Sequence, residues 1–157
     1  MNKEIKEIKK IYQATKDGGE PGIFHKLCDG IPNTLVLYKS AGNRRFGGFA
    51  SQCWKTGDET ISDKNCFLFS LDKKKIYFSN INIFKVVSCP SDGPSFTDYK
   101  GIYIIQLDGN VLSNKRLKTF ENNFKDIFGK DENALSEDGN YEGVYAKEYE
   151  VFQIIFE

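Results

Sequence analysis

The chain has no excess of charge of either sign: Lys+Arg and Asp+Glu both number 22 in 157 residues. A nucleic-acid partner asks for a basic excess or stripe, so none is expected. No window reaches the apolar length of a membrane span. The N-terminus is charged and has no apolar run, so no secretory signal is expected. The four cysteines, Cys28, Cys53, Cys66 and Cys89, form no C-x-x-C pair. Reduced thiols and a cytoplasmic location follow as expectations. There is no internal repeat and no low-complexity tract. No helix pattern follows each strand pattern, which excludes a parallel α/β sheet.

What the chain does have is aromatic residues, 13 Phe and 8 Tyr, with isoleucine and valine, a set that favours a β-rich core. The length suits a single domain over residues 1–157. The organising stretch is Phe46–Trp54, F-G-G-F-A-S-Q-C-W. Paired glycines inside an aromatic strand mark a bulge or a close backbone approach. The lone tryptophan, Trp54, is expected in the core, locking a corner.

Ile5, Ile8, Ile11, Tyr12 and Thr15 fall at helical spacing, which predicts an N-terminal helix over 3–16. Gly18-Gly19 stops it, and Pro21 opens a second short helix that ends at Asp29-Gly30. Strands are expected at Thr34–Ser40, Arg45–Trp54, Cys66–Leu71, Ile76–Phe78, Ile83–Cys89, Ile102–Leu107 and Tyr149–Phe156. The last is apolar enough to sit in the middle of a sheet. Residues 55–64 and 91–99 read as loops, and Asp108-Gly109-Asn110 as a hairpin turn leading into Val111–Ser113. Leu117, Phe120, Phe124 and Ile127 have helical spacing, and Lys130–Gly143 reads as loop. Seven or eight hairpin-linked strands predict a mainly β, α+β fold: a two-sheet antiparallel β-sandwich flanked by short helices at the N-terminus.

The order L-V-L-Y-K-S (35–40), F-G-G-F-A-S-Q-C-W (46–54), C-F-L-F-S-L (66–71), G-P-S-F (93–96) and E-Y-E-V-F (148–152) resembles the TLDc domain. The run Asp17-Gly18, Phe24-His25 and Cys28-Asp29-Gly30 fits it too. The resemblance covers roughly residues 10–157 and makes Gly47, Gly48, Trp54, Gly93, Pro94 and Phe96 its structural motif. It implies the same sandwich, a eukaryotic protein linked to protection against oxidative stress, and a non-catalytic protein-interaction module. It also implies binding and regulation of the vacuolar proton ATPase, at endomembranes through that partner. Glu20-Pro21 departs from the family's serine at the start of the second helix.

The residues offer other candidates. His25 and Cys28 lie three apart on one helix face, a spacing that can activate a thiolate or hold half a zinc site. No second pair completes a metal set, so no metal or cofactor is expected. Packing is the expectation for Cys28 and one hydrogen bond at the helix edge for His25. Cys53 and Cys66, in apolar strands, are expected to be inert, and Cys89, before Pro90, to be the most exposed thiol. A thiol-based antioxidant or enzyme using Cys28 or Cys89 is therefore the second reading. Asp58-Glu59 with Asp63 lacks calcium-loop spacing and reads as solvated turn, as does Asp131-Glu132 with Glu137-Asp138. Lys73-Lys74-Lys75 reads as a hairpin tip, with a phosphoinositide or membrane-surface site as the alternative. Docking is expected through loops at one end of the sandwich, 55–64 and 91–101.

Overall fold

The computed structural model describes residues 3–78, 84–97, 103–107, 116–119 and 144–157. The described chain runs β1 (Ile5–Gln13), α1 (Ala14–Asp17), α2 (Pro21–Cys28), β2 (Thr34–Ser40), β3 (Arg45–Ala50), β4 (Glu59–Asp63), β5 (Phe67–Ser70) and β6 (Lys75–Phe78). It continues with β7 (Phe84–Ser88), β8 (Ser95–Thr97), β9 (Tyr103–Leu107), β10 (Arg116–Thr119) and β11 (Val144–Phe156). All strand pairings are antiparallel. One sheet has the order β1-β11-β2-β3-β5-β6, the other β4-β7-β8-β9-β10-β11. The long β11 belongs to both: its first residues pair with β10, and the rest lies between β1 and β2. The two-sheet sandwich with short N-terminal helices is therefore what the sequence predicts, and β11 sits mid-sheet as expected.

Period-two alternation fills the space between the layers. From β2 come Val36 and Tyr38, from β3 Phe46 and Gly48, from β11 Tyr149 and Val151, all buried. Val86, Phe96, Ile105 and Leu107 are buried in the other layer. Burying each large side chain contributes about 1.5–3 kcal/mol. Helix α2 closes the open end. Its Phe24 ring meets Trp54 edge-on at 5.4 Å and Tyr12 at 6.0 Å. Pro21 stands in its first turn, and the Glu20 side chain makes no capping bond.

Five expectations are corrected. Residues 5–13 form a strand, not a helix: β1 pairs with β11 from Ile5↔Phe156 to Gln13↔Glu150. Register shifts between Ile5 and Glu7 and between Lys10 and Tyr12 break the alternation, so the apolar residues fall by accident at helical spacing. Ile5 and Ile8 point to solvent, while Tyr12 alone is buried. Residues 59–63 form β4, an edge strand whose polar composition hid it; edge strands tolerate polar side chains on both faces. Within 91–99, Ser95–Thr97 forms β8, three buried residues too short to show a pattern. Leu117 lies in β10, not a helix. Phe120, Phe124, Ile127, the 108–113 hairpin and the 130–143 loop lie outside the described residues. The expected Arg45–Trp54 strand ends at Ala50, and Trp54 makes an isolated parallel bridge with Asp29.

Candidate functional site

Five of the six motif residues, Gly48, Trp54, Gly93, Pro94 and Phe96, lie between the layers, and Gly47 faces the outer side. A Cβ on Gly48 would lie 2.6 Å from Phe96 Cζ, so the missing side chain is the space that the Phe96 ring fills. Trp54 packs edge-on against Phe96 at 5.7 Å, and its Nε1–H donates to Thr34 Oγ1 at 2.8 Å. The Tyr38 hydroxyl donates across the interior to the Pro94 carbonyl. Gly93 N–H donates to Leu107 O at 2.9 Å, and a Cβ there would strike Leu107 Cδ2 at 2.6 Å. On the other side of the sheet, a Cβ on Gly47 would lie 1.8 Å from the Val36 carbonyl oxygen. Those side chains and glycines hold the two layers at their spacing. They are buried, and none of them presents a reactive atom to solvent.

His25 does more than the expected single bond at a helix edge. It is buried, with Nδ1 2.8 Å from Asp29 Oδ1 and Nε2 3.0 Å from Cys89 O and 3.2 Å from Asp92 O. Both ring nitrogens thus face oxygen atoms, one a side-chain carboxylate and two backbone carbonyls. Thr56 Oγ1–H donates to the other Asp29 oxygen at 2.6 Å. His25 thus clasps α2 to the turn after β7. No local pattern points to it, because the accepting carbonyls lie more than sixty residues away.

The clasp leaves neither ring nitrogen for Cys28. The Cys28 thiol is buried, and that burial, helped by Asp29 and Asp17, pushes its pKa up to about 12. A thiol held protonated is a poor nucleophile. Cys66 is buried as well, and its thiol is pushed up by desolvation and then by Asp63. Cys53 and Cys89 are half-buried; Cys53 lies beyond the end of β3 rather than within a strand. Cys89 Sγ is 3.1 Å from Ser91 Oγ. All four thiols are free.

Asp63 is occupied structurally. Its carboxylate accepts from Ser51 N–H at 2.5 Å, Ser51 Oγ–H at 2.6 Å, Gln52 N–H at 3.1 Å and Asn65 N–H at 3.0 Å. Those bonds stitch the chain after β3 to the end of β4. Asp58 and Glu59 are exposed. Among the described residues no group of three His, Cys, Asp or Glu side chains is placed to hold a metal, and no helix is long and apolar enough to cross a membrane.

The proposed docking loops fare unequally. Residues 55, 56 and 58–60 are exposed; in the described part of 91–101, Ser91 is exposed and 92–97 are buried. The accessible apolar surface lies elsewhere, on the outer side of the first sheet. Ile76 and Phe78 are 54% and 58% exposed there, beside Leu71 at 43%.

The glycine pair, Trp54 and the Gly93–Phe96 segment resemble the TLDc domain, and the TLDc domain family model matches residues 1–155. The chain belongs to the TLDc family. A similar protein is the MTOR-associated protein MEAK7 of Xenopus laevis, 39% identical over 54 residues. That match covers 32% of this chain and 12% of the relative, so the shared stretch is a small part of the longer protein. The TLDc residues of this chain form its packed corner, while the His25 clasp and the outer apolar face are geometry that the motif does not spell out.

Proposed function

We propose that this TLDc domain is a non-catalytic interaction module that docks on the vacuolar proton ATPase in the cytoplasm, at endomembranes through that partner. Protection against oxidative stress then follows from regulating the assembly rather than from consuming oxidant. The observation that supports this reading is the accessible apolar face of the first sheet, with Ile76 and Phe78 more than half exposed. A contiguous exposed apolar patch on a small domain marks a contact surface. Family membership supports the same reading, and the name of the Xenopus relative describes that protein as MTOR-associated. Affinity capture from lysate on the immobilised domain, with free domain as competitor, tests it. Competed enrichment of ATPase subunits is the expected result; no enrichment removes that partner.

A thiol antioxidant is the second reading, and the half-buried Cys89 is the observation that keeps it open. Peroxide consumption by the purified protein is compared with that of the Cys28→Ser and Cys89→Ser variants. Consumption unchanged in both removes the thiol mechanism. A membrane-surface role for Lys73–Lys75 is tested by flotation with liposomes; indifference to anionic lipid dismisses it.

A further inference from the structure

The strand registers sort the outer face of the first sheet into rows. Phe152, Leu35, Phe49, Phe67 and Phe78 lie side by side across β11, β2, β3, β5 and β6. The Phe49 and Phe67 rings stack at 5.1 Å, and Phe67 meets Phe78 at 5.6 Å. The next row is Leu37, Gly47, Phe69 and Ile76. The Phe69 ring leans over Gly47, where a Cβ would lie 2.7 Å from Phe69 Cζ, so the floor of this row is set by the Leu37 and Phe69 side chains. The result is an open hollow of about 510 Å³, lined mainly by apolar side chains with Lys74 and Lys75 at its edge.

The row after that is charged: Lys39 pairs with Arg45 across β2 and β3, and with Glu148 on β11. A second hollow of about 440 Å³ lies here, lined by Lys39, Arg45, Lys147, Glu148 and Glu150, and it meets the first at Leu37. Its acids are already engaged. Glu150 is 2.6 Å from Lys10 Nζ, Glu148 accepts from Thr15, and Asp72 at the same end binds Arg45 at 2.9 Å. Arg45 is matched by Asp72 and Glu150 by Lys10; Lys39, Lys74 and Lys147 stand against Glu148 along this rim of a chain whose total charge is zero.

From this arrangement we infer that the outer face of the first sheet receives an amphipathic helix of a partner protein, with apolar anchors in the hollow between Leu37 and Ile76 and acidic residues against Lys39 and Lys74 on its rim. The inference deepens the interaction-module reading and rests on it. Charge complementarity selects an acidic partner. The backbone groups of β2, β3 and β5 are already spent in the ladder, so an extended segment laid on them would leave its own amides unsatisfied, whereas a helix satisfies its own. Four strands span roughly 14 Å at about 4.8 Å each, a distance that anchors at i, i+3, i+7 and i+10 of a helix cover at about 1.5 Å per residue. The recessed floor suits inserted side chains better than a flat bilayer.

The test is selection from a displayed library of random peptides of about sixteen residues on the wild-type domain, with counter-selection on Ile76→Glu. An enriched peptide is then titrated by fluorescence anisotropy against wild type, Ile76→Glu and Lys74→Glu. Both positions are exposed, so unchanged circular dichroism and melting of the variants verify folding. The expected sequences carry apolar residues at helical spacing with Asp or Glu at one end. Ile76→Glu weakens binding roughly tenfold or more, and Lys74→Glu roughly threefold, with the Lys74 effect fading at high salt. No enrichment, peptides without acidic residues, or equal binding to Ile76→Glu would overturn the inference. So would binding to phosphatidylserine vesicles, or self-association in sedimentation, lost on Ile76→Glu without any peptide being selected. ATPase capture undiminished in Ile76→Glu refutes this face and leaves the module reading intact; no capture by wild type refutes the module reading itself.

Discussion

Gly47→Ala and Gly48→Ala differ by one residue and by what the new methyl meets. At 48 it meets the Phe96 ring and Leu68 Cδ2, side chains that can shift; at 47 it meets the Val36 carbonyl, which cannot. Overpacking costs about 1–3 kcal/mol. Gly48→Ala is expected within that range and Gly47→Ala above it, read from urea denaturation midpoints. Thr34→Val removes the acceptor of the buried Trp54 N–H and is expected to cost about 1–3 kcal/mol by the same measurement. The need for these glycines and for a buried Trp54 was legible in the sequence, because glycine inside an aromatic strand has few other uses. The partners were not: Phe96 and Thr34 come from opposite sides of Trp54 in the chain and meet it only through the sandwich.

The buried acids of the core set an alkaline limit. Burial pushes Cys28 and Tyr12 each up to about 12, and raises Tyr38, Cys66 and Tyr149 as well. Above pH 9 the unfolded chain releases these protons while the folded chain keeps them, so the folded state binds more protons and stability falls as pH rises. Cys28 alone gives a slope of about 1.4 kcal/mol per pH unit between roughly 9 and 12. Denaturation midpoints are expected to be flat with respect to these groups below pH 9 and to drop steeply above it. A midpoint unchanged from pH 9 to 11 would show that these groups are solvated.

At the scale of elements, β1 shows what periodicity misses. Its two register shifts remove the alternation that marks a strand, and the helical spacing that results is incidental. The two readings differ in which side chains matter. A helical stripe would make Ile8 and Tyr12 equal partners of the core. In the strand, Ile8 is exposed while Tyr12 stacks on Tyr149 at 4.9 Å and donates to the Gly18 carbonyl at 2.5 Å. Tyr12→Ala is expected to cost about 3–5 kcal/mol and Ile8→Ala less than about 0.5 kcal/mol, compared by thermal melting. Strands β2, β5, β6, β7, β9 and β11 were legible because each has an apolar or alternating run bounded by turns. β4 was not, since an edge strand has no buried face to write in apolar residues, and β8 is shorter than one period of any pattern.

At the scale of the whole molecule, a net charge of zero hides an uneven distribution. The β2–β3 and β5–β6 turns bring Lys39, Arg45 and Lys74 to one end of an apolar face, and no count of residues shows that. The sandwich itself could be read from hairpin-linked aromatic runs. Its usable surface could not, because which side of β2, β3 and β5 faces outward depends on where the second sheet lies. The central claim is that this TLDc domain acts by contact with another macromolecule. Hydrogen exchange of the domain, free and in its captured complex, tests that claim most directly. Slowed exchange is expected in the β5–β6 hairpin and the β2–β3 turn, with the turn around Cys89 and the His25 clasp unchanged. Protection confined to the Cys89 turn, with the outer face of β5 and β6 exchanging as in the free protein, would contradict it.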